Sequence, residues 1–209
     1  MKKPRKPEAV EKIKNAILDR ALEIIAREGL DNLTMRNLAG RLKMTAPNIY
    51  NYYSGKDEIY LCLVVQGFEM LQAVLQEARD SHKGKKEKGR AMIEAYIQFG
   101  ITHSRYYDIM FVLPTPKYND YRGTPYEQLS ATELRISMEI ADMAAQAIRE
   151  LYDQPAEEDF VTRRLIQVWS LLHGMISLHN SKVAIYVADD LATIYSRTID
   201  ELMDLIERL

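Results

Sequence analysis

The chain has 209 residues, 47% of them hydrophobic and 28% charged, with a single cysteine, Cys62. That length suits one sizeable core, or a small domain joined to a larger one, and the composition is that of an ordinary globular protein with no disulfide framework. No uninterrupted apolar run reaches the roughly 18 residues of a membrane span, and no apolar stretch follows the basic N-terminus as in a secretory signal, so the reading is a cytoplasmic protein without a membrane partner. The net charge of −2 hides an asymmetry: residues 1–56 hold 12 Lys and Arg against 6 Asp and Glu, and the remainder 16 against 24. A basic head on an acidic body points the head toward a polyanion.

Residues 1–7, MKKPRKP, form a basic arm broken by proline. Ile13, Ile17, Leu18, Ala21, Leu22, Ile24 and Ile25 recur at helical spacing and predict a first helix from about Pro7 to Glu28. Gly29 is expected to stop it in a left-handed conformation, with Leu30 as the apolar contact behind. Thr34 can cap a short second helix to Leu42, although Asn37 stands where a capping box needs Glu or Gln. Thr45 can cap a third helix running to about Tyr53, with Pro47 in its first turn. Ser54-Gly55 breaks the chain, and Lys56 begins a long fourth helix to about Arg79 whose apolar stripe is Ile59, Leu63, Phe68, Leu71 and Leu75.

Residues 80–90 read as a polar linker or an exposed helix start. Helices are predicted at about 91–103 and 105–113, then a proline-rich loop over 114–125. Three long helices follow, at about Tyr126–Tyr152, Glu157–His179 and Asp189–Arg208, with a break at Gln154-Pro155. Residues 182–188 read as a connection. Few glycines and prolines and no sustained alternation of period two predict an all-α fold of about nine helices.

Helices two and three are too short to be stable alone. Packed on helix one they make a helix-turn-helix, whose second member enters the DNA major groove with its N-terminal residues toward base edges. On a helix from Ala46 to Tyr53, Ile49 and Tyr53 face the core. Ala46, Pro47, Asn48, Asn51 and Tyr52 are left outward, with Tyr50 near the rim. Asparagine can pair bidentately with adenine, and small apolar groups can meet a thymine methyl. The tyrosine hydroxyls and Lys56 suit phosphate oxygens. Arg36 could reach a guanine edge or a phosphate, the free N–H groups behind Thr34 are a natural phosphate site, and Thr45 belongs with the DNA-binding residues. The N-terminal arm could lie along the backbone or in the minor groove.

The stretch LTMRNLAGRLKMTAPNIYNYYSGKDEI, residues 33–59, resembles the DNA-binding region of the tetracycline-repressor (TetR) family. The shared features are Leu33-Thr34, Ala39, Thr45-Ala46, Ile49-Tyr50, Tyr52-Tyr53, Lys56 and Asp57-Glu58-Ile59. The family usually has glycine in the turn where this chain has Lys43. The resemblance implies residues 1–56 as a DNA-binding head, joined by a long helix to a body, residues 57–209, that binds an effector and dimerises.

The body offers an aromatic and methionine set: Phe68, Tyr96, Phe99, His103, Tyr106, Tyr107, Met110, Phe111, Trp169 and His173. Such a set is usually core; as a group it could also line an apolar pocket with polar handles, and the resemblance implies that the body takes a small molecule. WSLLHGMISL, residues 169–178, is similar to the Trp-x-x-x-His-Gly signature of one C-terminal subclass. One head has too few contacts for useful specificity, and two heads about one DNA turn apart read a palindrome. The last two helices carry apolar stripes, Leu165, Val168, Trp169, Leu172 and Ile176, then Leu191, Ile194, Tyr195, Ile199, Leu202 and Ile206, which family members pair between subunits; the same residues could close the protomer's own core, and some are expected to do both.

No histidine follows a Glu at bundle-metal spacing, and there is no phosphate loop or nucleophile elbow. The reading therefore expects no catalytic residue, no metal and no cofactor. It expects a homodimeric regulator, in the family's usual mode a repressor, with a palindromic double-stranded operator and a small, largely apolar effector as partners. Two rivals are a helical-bundle enzyme acting on an apolar substrate and an effector-free architectural DNA-binding protein.

Overall fold

The computed structural model describes residues 6–152 and 157–207. The expected arm at residues 1–5, the expected break at Gln154-Pro155 and Arg208 lie outside them. Nine α-helices and no strand occur among the described residues: α1 Pro7–Glu28, α2 Met35–Leu42, α3 Ala46–Ile49, α4 Lys56–Asp80, α5 Lys85–Thr102, α6 Ser104–Tyr107, α7 Glu127–Glu150, α8 Glu158–Asn180 and α9 Leu191–Glu207. The all-α expectation and most boundaries hold.

The chain divides into two compact units. One comprises the described residues of Met1–Phe68 with Arg105–Arg135; the other those of Glu69–Ser104 with Ile136–Leu209. In the first, α1 packs on α2 and α2 on α3, around Ile17, Ile24, Ile25, Leu38 and Ile49, none of which is exposed at all. Each such burial contributes about 1.5–3 kcal/mol, which is what holds short helices that could not persist alone. The Thr34 side chain caps α2, its Oγ1 accepting from the Asn37 amide at 3.0 Å. Gly29 ends α1 with φ +84° but ψ 164°, an extended rather than a left-handed-helical exit. Lys43, at φ 54° and ψ 36°, occupies the left-handed position where the family pattern has glycine, a conformation that costs a residue with a Cβ.

Three expectations need correction. The third helix does not run to Tyr53: α3 is four residues, continued by single turns in which Tyr52 and Tyr53 N–H groups donate to the Ile49 carbonyl at 2.8 and 3.1 Å. The Thr45 side chain makes no capping bond; Pro47 in the first turn already lacks one of the orphan donors. The segment over 105–113 is not one helix either. α6 passes into a π-turn over Asp108–Val112, closed by the Leu113 N–H donating to the Asp108 carbonyl at 2.8 Å. Carbonyls freed by that widening are met by side chains: Thr115 Oγ1 donates to Ile109 O and Lys117 Nζ to Met110 O, both at 3.3 Å.

In the second unit α5 packs against α8 and α9. Gly100 permits the close approach, since a Cβ there would stand 2.7 Å from the Ile176 side chain. The linker before α5 shrinks to residues 81–84, because α5 starts at Lys85. Residues 184–186 form one 3-10 turn within the connection. By length and composition α4 is apolar enough to cross a membrane, which a search for an uninterrupted apolar run misses; half of that window is buried within the protein, as in a core helix.

Candidate nucleic-acid interface

The outward surface of α3 and the turns after it follows from two inward anchors. Ile49 is wholly buried and Tyr53 5% exposed, and burial pushes the Tyr53 hydroxyl well above its usual titration range. Lys14 of α1 lies over the Tyr53 ring, 5.5 Å from its centroid. With those two side chains fixed, a 100° step per residue turns Pro47, Tyr50 and Asn51 to solvent and leaves Ala46, Asn48 and Tyr52 half-buried. Tyr50 is 53% exposed, beyond the rim position expected of it. Asn51 Nδ2 sits 3.5 Å from Asn48 Oδ1, so the two amides share one face and both keep hydrogen-bonding capacity for an outside partner.

A second group lies on α2. Thr34, Arg36, Asn37, Gly40 and Arg41 line a recess of about 460 Å³, which presents two guanidinium groups beside the capped helix start. Sequence reasoning picked out Thr34 and Arg36 and missed Asn37 and Arg41. The signal was available: positions 34, 37 and 41 fall on one helical face. Arg41 is tied to Glu28 of α1 at 2.6 Å, and Asn37 Nδ2 donates to the Asn32 carbonyl at 2.9 Å, so this surface is braced from α1. Thr45 is exposed and Lys56, first residue of α4, half-exposed. At the start of α4 the Ser54 N–H and hydroxyl both donate to the Glu58 carboxylate, at 2.6 and 2.7 Å. That leaves Lys56 as the cationic group of this corner.

The aromatic and methionine residues expected to meet an effector fall into separate clusters. In the first unit, Phe68 and Phe111 meet edge to face at 5.5 Å, and Tyr107 lies 5.2 Å from Phe111. Phe68, Tyr107 and Met110 are buried. In the second unit, the Trp169 indole N–H donates to the Tyr96 hydroxyl at 2.9 Å, which stands 3.3 Å from His173 Nε2. Phe99 and His103 pair at 5.2 Å. Burial lowers the His173 pKa, so the ring is held toward its neutral form.

The expected dimer stripes also sort by burial. Leu172, Ile176, Ile199 and Leu202 are buried within the protomer. Leu165 and Leu191 are half-buried, and Ile194 is 45% exposed. The apolar side chains that α8 and α9 leave outside are Ile166, Trp169, Leu171, Leu178, Ile194 and Leu205. Sequence periodicity missed Ile166, Leu171, Leu178 and Leu205, because the helices are apolar over more than one face. Among the described residues no group of three or more metal-capable side chains occurs.

Two family profiles match the chain: "Bacterial regulatory proteins, tetR family" over residues 17–63 and "Tetracyclin repressor-like, C-terminal domain" over residues 90–202. A helix-turn-helix transcriptional regulator of Bacillus subtilis, YobS, is 27% identical over 92 residues, 44% of this chain and 48% of that protein. The match thus spans about half the length of that relative. The regulator Rv0681 of Mycobacterium tuberculosis is 23% identical over 188 residues, 87% of this chain and 79% of its own. Among solved structures, the regulatory protein SCO4313 superposes with a TM-score of 0.74 at 21% identity, covering 95% of this chain and 98% of that one.

Proposed function

We propose, from the premise that this chain belongs to the TetR family of bacterial transcriptional regulators, that it is a homodimeric repressor released from a palindromic operator by a small, largely apolar effector. Members of the family and the relatives found are transcriptional regulators, not enzymes. In this reading residues 1–56 bind DNA in the cytoplasm, and residues 57–209 bind the effector and dimerise. The observation that carries it is the pair of amides, Asn48 and Asn51, held outward beside exposed Tyr50 by the buried anchors Ile49 and Tyr53. Amides on a short helix suit adenine edges in the major groove. Thr34, Arg36, Thr45, Tyr52 and Lys56 then take phosphates, and Ala46 and Pro47 supply apolar contact.

The effector would engage an aromatic cluster: Phe68, Tyr107, Met110 and Phe111 are the candidates in one unit, and Tyr96, Phe99, His103, Trp169 and His173 those in the other. Trp169, His173 and Gly174 fit the Trp-x-x-x-His-Gly subclass, and Trp169 and His173 cluster with Tyr96. The effector acts by binding one of two dimer states more tightly than the other.

Gel-shift titrations across salt test the head. Lys56→Ala is expected to weaken binding to every duplex and to lower the salt slope by about one. Asn48→Ala or Asn51→Ala is expected to relax preference at one base pair by about 1–3 kcal/mol. If neither class of substitution alters binding, α3 is not the reading element. Effector candidates are tested by their rise in melting temperature, which scales with the logarithm of ligand concentration over Kd.

A further inference from the structure

We infer that Tyr126, with Tyr121, is a positioning residue for the DNA-reading turn, so that the reading unit extends beyond residue 56 to take in a bracket from the segment before α7. The inference rests on the reading of α3 as the DNA-contacting element. A helix of four residues cannot fix its own direction. Ile49 and Tyr53 anchor α3 from inside; at its exit, Ser54-Gly55-Lys56, Glu58 holds Ser54 locally, and a further hold acts from outside the turn. That hold comes from sequence more than sixty residues away, within the same compact unit. The Tyr126 hydroxyl stands 3.4 Å from Ser54 Oγ, and the Tyr121 hydroxyl donates to Asp57 Oδ1 at 3.4 Å. Tyr121 is buried, and its ring meets Tyr126 edge to face at 6.4 Å.

The bracket is itself rigid. Thr124 Oγ1 donates to the Tyr121 carbonyl at 2.7 Å and accepts from the Tyr126 N–H at 3.2 Å. Gly123, at φ +74°, turns the chain between the two tyrosines, and its N–H donates to the Glu127 carboxylate at 2.8 Å. Earlier in the same segment, the Tyr60 hydroxyl donates to the Pro116 carbonyl at 3.3 Å, tying it to the first turns of α4. The tightest contact is at Gly55. A methyl there would lie 2.8 Å from the Tyr126 hydroxyl oxygen but 3.9 Å from the ring carbon that bears it. Gly55 has no left-handed φ, so what a side chain at 55 meets first is the Tyr126 hydroxyl and not backbone strain. Any side chain at 55 must push Tyr126 off the turn or push the turn, and α3 with it.

The test is a compensating pair in the full-length protein. The probes are the duplex that the wild type enriches from a randomised pool and an unrelated duplex of equal length. Gly55→Ala is expected to weaken binding to the enriched duplex by about tenfold, with a much smaller loss on the unrelated one, because phosphate contacts tolerate a tilt that base contacts do not. Tyr126→Phe keeps the ring and is expected to stay within about twofold of wild type, since the hydroxyl contact is long and partly exposed. The double variant removes the clash and is expected to return to within about threefold. A generally weakened fold would not be rescued by deleting one hydroxyl. Wild-type binding by Gly55→Ala, or a double variant as weak as the single, overturns the inference while leaving α3 as the reader. Should Gly55→Ala fail to fold, Tyr126→Ala takes its place: a loss confined to the enriched duplex supports the bracket, and unchanged affinity overturns it. Failure of Asn51→Ala to change base preference, or of the wild type to enrich any duplex, removes α3 as the reader, and the inference falls with it.

Discussion

The α3 turn and the α8–α9 pair solve opposite surface problems. At α3 the apolar side chains go in, Ile49 and Tyr53, and amides and a phenol go out. On α8, Leu172, Met175 and Ile176 go in, yet Ile166, Trp169, Leu171 and Leu178 remain outside. A polar outward face on a basic head suits a charged, hydrogen-bonding partner; an apolar outward face on an acidic body suits another apolar face. The contrast is informative because it separates two kinds of site by what is left over after the protomer has packed itself.

That contrast can be broken most directly at the body. Ile166→Asp with Leu178→Asp places two charges on the exposed face of α8; light scattering is expected to show a dimer weakened at least about 100-fold with helix content retained. A chain that stays dimeric would move the pairing surface elsewhere. Leu172→Ala sharpens the same point from the buried side. It is expected to cost about 2–5 kcal/mol of folding stability in denaturant titration, as a core residue should, rather than to dissociate a folded dimer.

At the head, Lys43→Gly relieves a left-handed backbone at φ 54° and is expected to stabilise by up to about 1 kcal/mol, a few degrees in Tm, without altering base preference. The smallest expected effect is electrostatic. Burial lowers the His173 pKa, so the fold favours the neutral ring. The stability this contributes is complete above the ordinary histidine pKa of about 6.5 and is lost as pH falls through the depressed value. His173→Gln is therefore expected to flatten the decline of Tm between about pH 7 and pH 5, and an unchanged acid limb would show that the Tyr96–His173–Trp169 cluster does not contribute to it.

Much of the head was legible from residue order because its determinants are local. Thr34 caps the helix it precedes, Pro47 sits in a first turn, and Ile49 and Tyr53 lie four apart, so spacing alone puts them on one side. The length of α3 was not legible, because a fourth residue of helix and a hydrogen-bonded turn share nearly the same local signals. The grasp of Tyr126 on Gly55 was invisible for a different reason: no periodicity links positions 71 apart. In the body the apolar stripes of α8 and α9 were plain, but which apolar residues would be inside was not, since both helices are apolar over more of their circumference than one neighbour can cover.

Residue order by itself determined the all-α class, the boundaries of the long helices other than the start of α5, the basic head and the identity of the amides that the head displays. These depend on contacts within a turn or two of chain, where the geometry of the helix dictates neighbours. Only the tertiary structure decided how the apolar excess is divided between core and surface, where the aromatic side chains gather, and which distant tyrosines stand beside the exit of α3. Those outcomes depend on which distant segments exclude water from one another, and that is a property of the packed chain rather than of any stretch of it.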